Sequence, residues 1–202
     1  GTRNYRNILL GDVDTDAEAL GVDIREMFLG FFGILVCYVQ TKMIQTMDYA
    51  LKNGYSIGWD GDVSEKSFSF INGVAINPEV NSVDTYAGTD RARFEKMNPN
   101  ERLEEVYKFE HPYPEVNVTP EVRQKGYETF VTTDDHLMHI TGITKDQNGT
   151  KYYITKNSWG TERNRFGGYL NMSESFVKAK TIYILVHKDA IPKEIKAKLG
   201  IQ

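Results

Sequence analysis

One cysteine, Cys37, stands in the 202 residues, so no disulfide can form within the chain. Long apolar runs are missing too. The longest, from Met27 to Val39, is broken by Gly30 and Gly33 and falls short of the roughly 20 apolar residues a bilayer span needs. Asp23 and Glu26 precede it where a leader peptide would carry basic residues, so it reads as a buried segment. Positive charge is not in excess: 24 Lys and Arg against 28 Asp and Glu leave a net charge of −4. That excludes nucleic acid and anionic membrane as main partners, because both need clustered cations. The four histidines, His111, His136, His139 and His187, are too scattered for a zinc motif. A calcium loop from Asp60 also fails, with Glu65 where the turn glycine belongs and Ile71 where the bidentate Glu belongs. No metal and no cofactor is expected. These absences leave cytoplasm and periplasm both open. The chain opens on Gly1-Thr2-Arg3 rather than Met, so the lack of a leader decides nothing.

What remains is an ordinary globular composition, 40% hydrophobic and 26% charged. Residues 1–38 give no assignable pattern, and their first 26 read as an irregular or weakly helical lead-in. Met43, Ile44, Met47, Ala50 and Leu51 recur at helical spacing and predict a helix over 41–53, stopped by Gly54. A strand is expected from Tyr55 to Trp59, ended by an Asp60-Gly61 turn. A strand pair is expected around Asn72-Gly73. Residues 77–130 form a long polar insertion, with helices expected from Pro99 to Lys108 and after the Thr119-Pro120-Glu121 cap. Two β-rich runs joined by Asp146-Gln147-Asn148-Gly149 predict an antiparallel hairpin over 136–160. Strands around Tyr169–Met172 and Thr181–Val186 follow. A helix from Ile191-Pro192 to Leu199, capped by Gly200, closes the chain.

The hairpin is where chemistry concentrates. A Cys or Ser nucleophile needs a base beside it and a third group to orient the base. If Lys145 pairs with Thr150, Asn157 lies opposite Met138. His136 is then a diagonal neighbour on the same face, about 7–8 Å away along the backbone. A two-residue Asn148-Gly149 turn would keep the shared face but separate the pair by about 13 Å at 3.3 Å per residue. The reading therefore requires the four-residue loop or a bulge. His139, three residues from His136, points to the other face and is a poor co-ligand. By the same parity Ser158 points away from His136, which leaves it, like Thr133, a weak candidate nucleophile. A lone His at a strand start is usually a surface or core residue, and an Asn-Ser pair is usually a turn. The whole string is what singles them out: Asp135-His136 opening one strand, Lys156-Asn157-Ser158-Trp159-Gly160 closing the next, then Gly168-Tyr169.

That string resembles the C-terminal half of papain-family cysteine peptidases. Asp135-His136 with the following Ile-Thr-Gly-Ile is similar to the family's histidine strand, and Lys156 to Gly160 to its asparagine motif. Gly168-Tyr169-Leu170 matches its next strand. Gly54 to Asp60 resembles the strand that walls the substrate cleft. Within the family, NGYSIGWDGDVSEKSF and the long insertion are most similar to the bleomycin hydrolase and aminopeptidase C group. The resemblance covers about residues 39–190. It implies an α+β, papain-like fold, mainly the antiparallel β-barrel-like half with marginal helices, over residues 39–202. It also implies a thiol peptidase, an aminopeptidase acting on peptides. His136 would be the general base, Asn157 its orienter, Trp159 a shield over their hydrogen bond, and Trp59 and Asp60 substrate-binding residues. Ring-shaped hexamers and a C-terminal arm reaching into the cleft, here KAKLGIQ, belong to the same expectation.

The departure is the nucleophile. The family carries it in an N-terminal half, at a helix start after a Gln, and no such string exists here. Cys37 lies in ILVCYVQ, an apolar setting typical of an inert thiol. Two expectations follow. Either this chain is the His/Asn half of a peptidase whose Cys lies in a missing N-terminal half, and is inactive alone, or it is a non-catalytic module of the same fold that binds peptide or a partner protein.

Overall fold

The computed structural model describes residues 27–30, 34–37 and 40–199. The lead-in 1–26 and the Gly200 cap lie outside them. Among the described residues nine strands form one sheet: β1 Met27–Gly30, β2 Ile34–Cys37, β3 Ile57–Gly61, β4 Phe68–Ser69, β5 Val74–Ala75, β6 His136–Lys145, β7 Lys151–Lys156, β8 Tyr169–Ser173 and β9 Thr181–His187. Their order is β1-β2-β9-β3-β6-β7-β8-β5-β4. All neighbours are antiparallel except β5 and β8. Helices lie at the margin, so the architecture is α+β. The sheet is open, with β1 and β4 at its edges.

Periodicity explains the packing. In β6, Met138 and Ile140 are buried while Leu137, His139 and Thr141 face out, the alternation of a strand with one covered face. The covering helix is α1, Gln40–Lys52. Its Met43, Met47 and Ala50 are fully buried in the main core with Trp59, Ile140, Tyr153 and Met172. Full burial of each such large apolar side chain contributes roughly 1.5–3 kcal/mol. Asp48 of α1 pins the helix to β7, accepting from Lys151 Nζ at 2.8 Å and from the Tyr153 hydroxyl at 2.9 Å.

The insertion holds α2 Gly88–Phe94, α3 Pro99–Val106 and α4 Pro120–Glu128. The Asn98 side chain accepts from the amides of Asn100 and Glu101, and Glu101 reaches back to the Asn98 amide, a capping box that fixes the start of α3. Thr119 caps α4 with Pro120 in the first turn, as its sequence predicts. Val80, Tyr86, Phe94, Val106 and Tyr113 form a second, separate core. Helices α2 and α5 (Glu174–Lys180) are each too short to show a convincing period and escape a reading by pattern.

One expectation is corrected here. Asp60-Gly61 is not a turn but the end of β3, where Asp60 pairs with Leu137 on one side and Tyr183 on the other. A ladder on both sides overrides the local turn preference. Residues Lys193–Leu199 form α6, with Ile195 and the preceding Ile191 buried in the main core.

Candidate active site

His136 opens β6 and Asn157 follows the last residue of β7, so the hairpin carries both. The tip pairs Lys145 with Lys151, not with Thr150, and its loop is Asp146–Thr150. Continued unchanged, that register would set Asn157 opposite His139 and so on the face away from His136. A bulge at Thr141 resets it: Gly142 pairs with Ile154, but Ile140 pairs with Thr155 and His139 with Lys156. One extra residue in a strand changes which face every later side chain takes. Beyond the bulge the register is the one that places Asn157 opposite Met138.

The two side chains meet. His136 Nε2 lies 2.8 Å from Asn157 Oδ1. An amide oxygen only accepts, so Nε2 carries the proton and donates it, which leaves Nδ1 as the basic atom of the neutral ring. Asn157 is 2% exposed, and its backbone N–H donates to the Gly168 carbonyl at 3.0 Å. The Trp159 ring sits 5.0 Å from the imidazole, tilted 38°. Phe68 and Phe70 meet it edge-on at 5.8 and 5.4 Å. Trp159 keeps 38% of its surface in solvent, so it roofs the pair without sealing it.

Asn164 has no place in the sequence-based expectation, yet it organises this roof. Its Nδ2 donates to the carbonyls of Phe70 and Tyr169 at 3.0 and 2.8 Å, and its Oδ1 accepts from the amides of Phe166 and Gly168 at 3.1 and 2.8 Å. One buried amide thus ties the β4–β5 turn to the loop after Asn157. The available signal was an Asn shortly before Gly167-Gly168. At Gly73, φ is +67° and a Cβ would fall 2.3 Å from the Phe166 ring, so the turn beside the roof needs glycine.

The segment entering His136 is held from below. The Thr133 amide donates to Asp62 Oδ2 at 3.2 Å and the Val63 amide to Asp135 Oδ1 at 3.0 Å. Lys180 Nζ reaches the Val131 carbonyl at 2.8 Å and pairs with Asp62 at 3.2 Å and with Glu65. Burial works against charge on Asp62, but Ser64, Lys180 and Thr133 more than offset it and hold its carboxyl below the usual range.

Trp59 and Asp60 do not line a substrate surface. Trp59 is fully buried and donates from Nε1 to Thr181 Oγ1 at 2.7 Å. Asp60, on the opposite face of β3, is 2% exposed. Strand alternation inside a sheet paired on both sides buries both. His139 is exposed on the far face of β6, and no hydrogen bond joins Ser158 or Thr133 to His136. The backbone of Cys37 ends a strand rather than starting a helix. Among the described residues no three His, Cys, Asp or Glu side chains are grouped to hold a metal ion. No described helix is long and apolar enough to cross a membrane.

PepW from Lactobacillus rhamnosis HN001 (DR20) is similar at 16% identity with a TM-score of 0.47, over 78% of this chain and 29% of that one. The bromelain protease of Ananas comosus, solved with the E64 inhibitor, is similar at 17% identity with a TM-score of 0.34, over 71% of this chain and 45% of that one. This chain therefore spans less than half the length of either. No curated protein matches it. The Peptidase C1-like family model matches residues 86–201, more than half of the sequence and the whole His136–Asn157 hairpin, and the chain belongs to that family.

Proposed function

We propose that this chain supplies the base and its orienter to a cysteine-type peptidase, an aminopeptidase of the bleomycin hydrolase kind, whose thiol comes from an N-terminal half of the same enzyme. The observation that carries this is the His136–Asn157 hydrogen bond, 2.8 Å long and roofed by Trp159. The bond fixes the tautomer and leaves Nδ1 as the basic atom. Nδ1 takes the proton of the incoming thiol, and the thiolate attacks the peptide carbonyl carbon. The imidazolium then returns the proton to the leaving amine, and water, deprotonated by the same nitrogen, hydrolyses the thioester. Asn157 and Trp159 keep the ring in place throughout. The peptide substrate and the hexameric ring of the complete enzyme are part of this proposal.

The test is complementation. Alone, the chain is expected to leave aminoacyl fluorogenic substrates intact. Joined to the protein encoded upstream of Gly1, it is expected to cleave them. His136→Ala in the joined protein should lower kcat/KM by at least a thousandfold. Strong hydrolysis by the isolated chain overturns the reading. A gene that encodes no thiol-bearing half favours the non-catalytic module instead.

A further inference from the structure

Ile143, Tyr153 and Met172 pack in or against the main core. Thr144, Tyr152 and Asn171, their neighbours in sequence, therefore stand on the other face of the sheet, with Thr144 paired to Tyr152 and Asn171 to Ile154. A cavity of about 380 Å³ opens over these three residues, a size that suits a small ligand group. Its facing wall is the insertion from Phe109 to Tyr113, and Phe166 closes one side beside Gly73. Neither His136, Asn157 nor Trp159 lines it. The walls are firmly held. Tyr113 is buried in the insertion core, its hydroxyl accepts from Arg93 at 3.1 Å, and its ring lies 4.2 Å from that of His111. Phe109 holds φ at +54°, a strained conformation that a bulky residue keeps only where its surroundings impose it. Tyr152 is 8% exposed, yet its hydroxyl is not sealed off, and among the described residues no hydrogen bond engages it. A tyrosine hydroxyl this deep ordinarily finds a partner. The lining also has a sign. Phe109, Tyr113, Tyr152 and Phe166 are aromatic rings, whose faces are negative, and Glu110 and Asp146 add carboxylates. Asp146 commits Oδ1 to the amides of Asn148 and Thr150, and its buried Oδ2 has no partner. His111 faces another acid, with Nε2 3.5 Å from Asp90 Oδ2. Burial first, then the charges of Glu115 and Asp146, raise the Tyr152 hydroxyl, with no cation offsetting them. Lys145 is the one ammonium on the lining, and it is exposed.

We propose that this cavity binds an organic monocation, the ammonium or guanidinium group of a lysine or arginine side chain on a partner peptide. The rings surround the charge, Glu110 and Asp146 balance it, and the Tyr152 oxygen accepts a hydrogen bond from its N–H. Lys145 opposes the ligand from the rim. The inference goes beyond the peptidase reading. Thr144 stands about 25 Å along β6 from His136, at roughly 3.3 Å per residue, and the binding needs neither thiol nor base.

The experiment is an NMR titration of the full 202-residue chain with Nα-acetyl-lysine amide and Nα-acetyl-arginine amide. The neutral Nα-acetyl-norleucine amide and the anionic Nα-acetyl-glutamate amide are the controls. Both cations are expected to shift the amides of Thr144, Tyr152 and Asn171 to saturation and to leave those of His136 and Asn157 in place. Norleucine and glutamate amides should bind about tenfold more weakly or not at all. Butylammonium separates the sources: binding equal to that of the lysine amide assigns recognition to the cation alone, and weaker binding adds the peptide group to it. Tyr152→Phe keeps the ring and loses no internal hydrogen bond, and it should weaken the lysine amide about fivefold. Glu110→Gln, an exposed change, should weaken it about threefold, and Lys145→Gln should tighten it about twofold. Equal binding of the norleucine amide, preference for the glutamate amide, or no saturable shift at Thr144, Tyr152 and Asn171 overturns the proposal. So does an affinity for the lysine amide that all three variants leave unchanged. Because no readout involves catalysis, failure here leaves the peptidase reading standing, and failure of complementation leaves the cation site standing.

Discussion

The hairpin that carries His136 and Asn157 lies in the sheet and the insertion at 77–130 lies outside it, and the two are held in different ways. The hairpin is the middle of the sheet, with β3 on one side and β8 on the other, and its inward side chains belong to the main core. The insertion has its own core around Phe94. It is fastened to the rest mainly by polar bonds, among them Asn77 Nδ2 to Ser175 Oγ at 3.1 Å, Ser175 Oγ to the Val116 carbonyl at 2.6 Å and Ser173 Oγ to Glu115 Oε2 at 2.5 Å. Shared apolar packing makes neighbours fold together, whereas polar fastening lets a satellite open by itself. The site is thus built where cooperativity is greatest.

Core truncations should separate the two regions most sharply. Trp59→Ala is expected to cost about 3–5 kcal/mol and to lower the urea midpoint of the whole chain, with the His136 ring signals broadening early. Phe94→Ala removes a side chain of similar rank, again at about 3–5 kcal/mol, but its effect should stay local. Amide protection should fall between residues 86 and 113 while the His136 and Asn157 signals keep their positions. Equal loss of protection in both regions would show that they form one cooperative unit.

Next in size is the roof. Asn164→Ala leaves the carbonyls of Phe70 and Tyr169 and the amides of Phe166 and Gly168 without their partner, and should cost about 2–3 kcal/mol in chemical denaturation. Unlike Phe94→Ala, it should speed exchange of the His136 Nε2 proton, because Trp159 loses its footing. An unchanged exchange rate would show that Trp159 holds its place without this amide.

The fastening of the insertion has a pH signature. Burial pushes the Glu115 carboxyl up to about 7, against the opposing bonds from Ser173 and Asn77. Its folded value exceeds the unfolded one, so the folded chain keeps a proton that the unfolded chain gives up. Stability supplied by the acid form is present below pH 4.5 and declines by up to about 1.4 kcal/mol per pH unit as the pH rises toward 7. Asp60, its carboxyl also raised by burial, adds a slope of the same sign. Glu115→Gln should flatten the Glu115 part of the decline, most visibly in the exchange of insertion amides. Identical pH dependence in the variant would show that folding does not raise the Glu115 carboxyl.

The smallest expected effect is at the hairpin tip. Asp146 Oδ1 accepts from the amides of Asn148 and Thr150, each at 2.8 Å. Asp146→Ala should cost about 1 kcal/mol and leave the His136–Asn157 signals in place. A shift there would mean that the tip, and not the bulge, sets the register at the site.

Much of this was legible in the residues. The string from Asp135-His136 to Lys156-Asn157-Ser158-Trp159-Gly160 fixes a hairpin and a face, and the stripe from Met43 to Ala50 fixes the covering helix. What was not legible has physical causes. The tip could be read with Thr150 opposite Lys145 because a one-residue difference in loop length, cancelled by a bulge at Thr141, leaves the same partners at the far end. Asp60-Gly61 looks like a turn because local preference cannot see strands on both sides. Trp59 looks like a cleft wall by resemblance, but its depth is decided by β9 and by Thr181, far along the chain. Asn164 is an ordinary loop residue until the β4–β5 turn is brought against it.

The bulge at Thr141 has a practical consequence. It absorbs the mismatch between the tip and the site, so the geometry at His136 does not inherit the length of the loop. Residues Gln147 to Gly149 are exposed and form a natural splice point. A short peptide tag or a spectroscopic label inserted there would report on this hairpin from the end opposite the base, while the strand entry at His136 stays as it is.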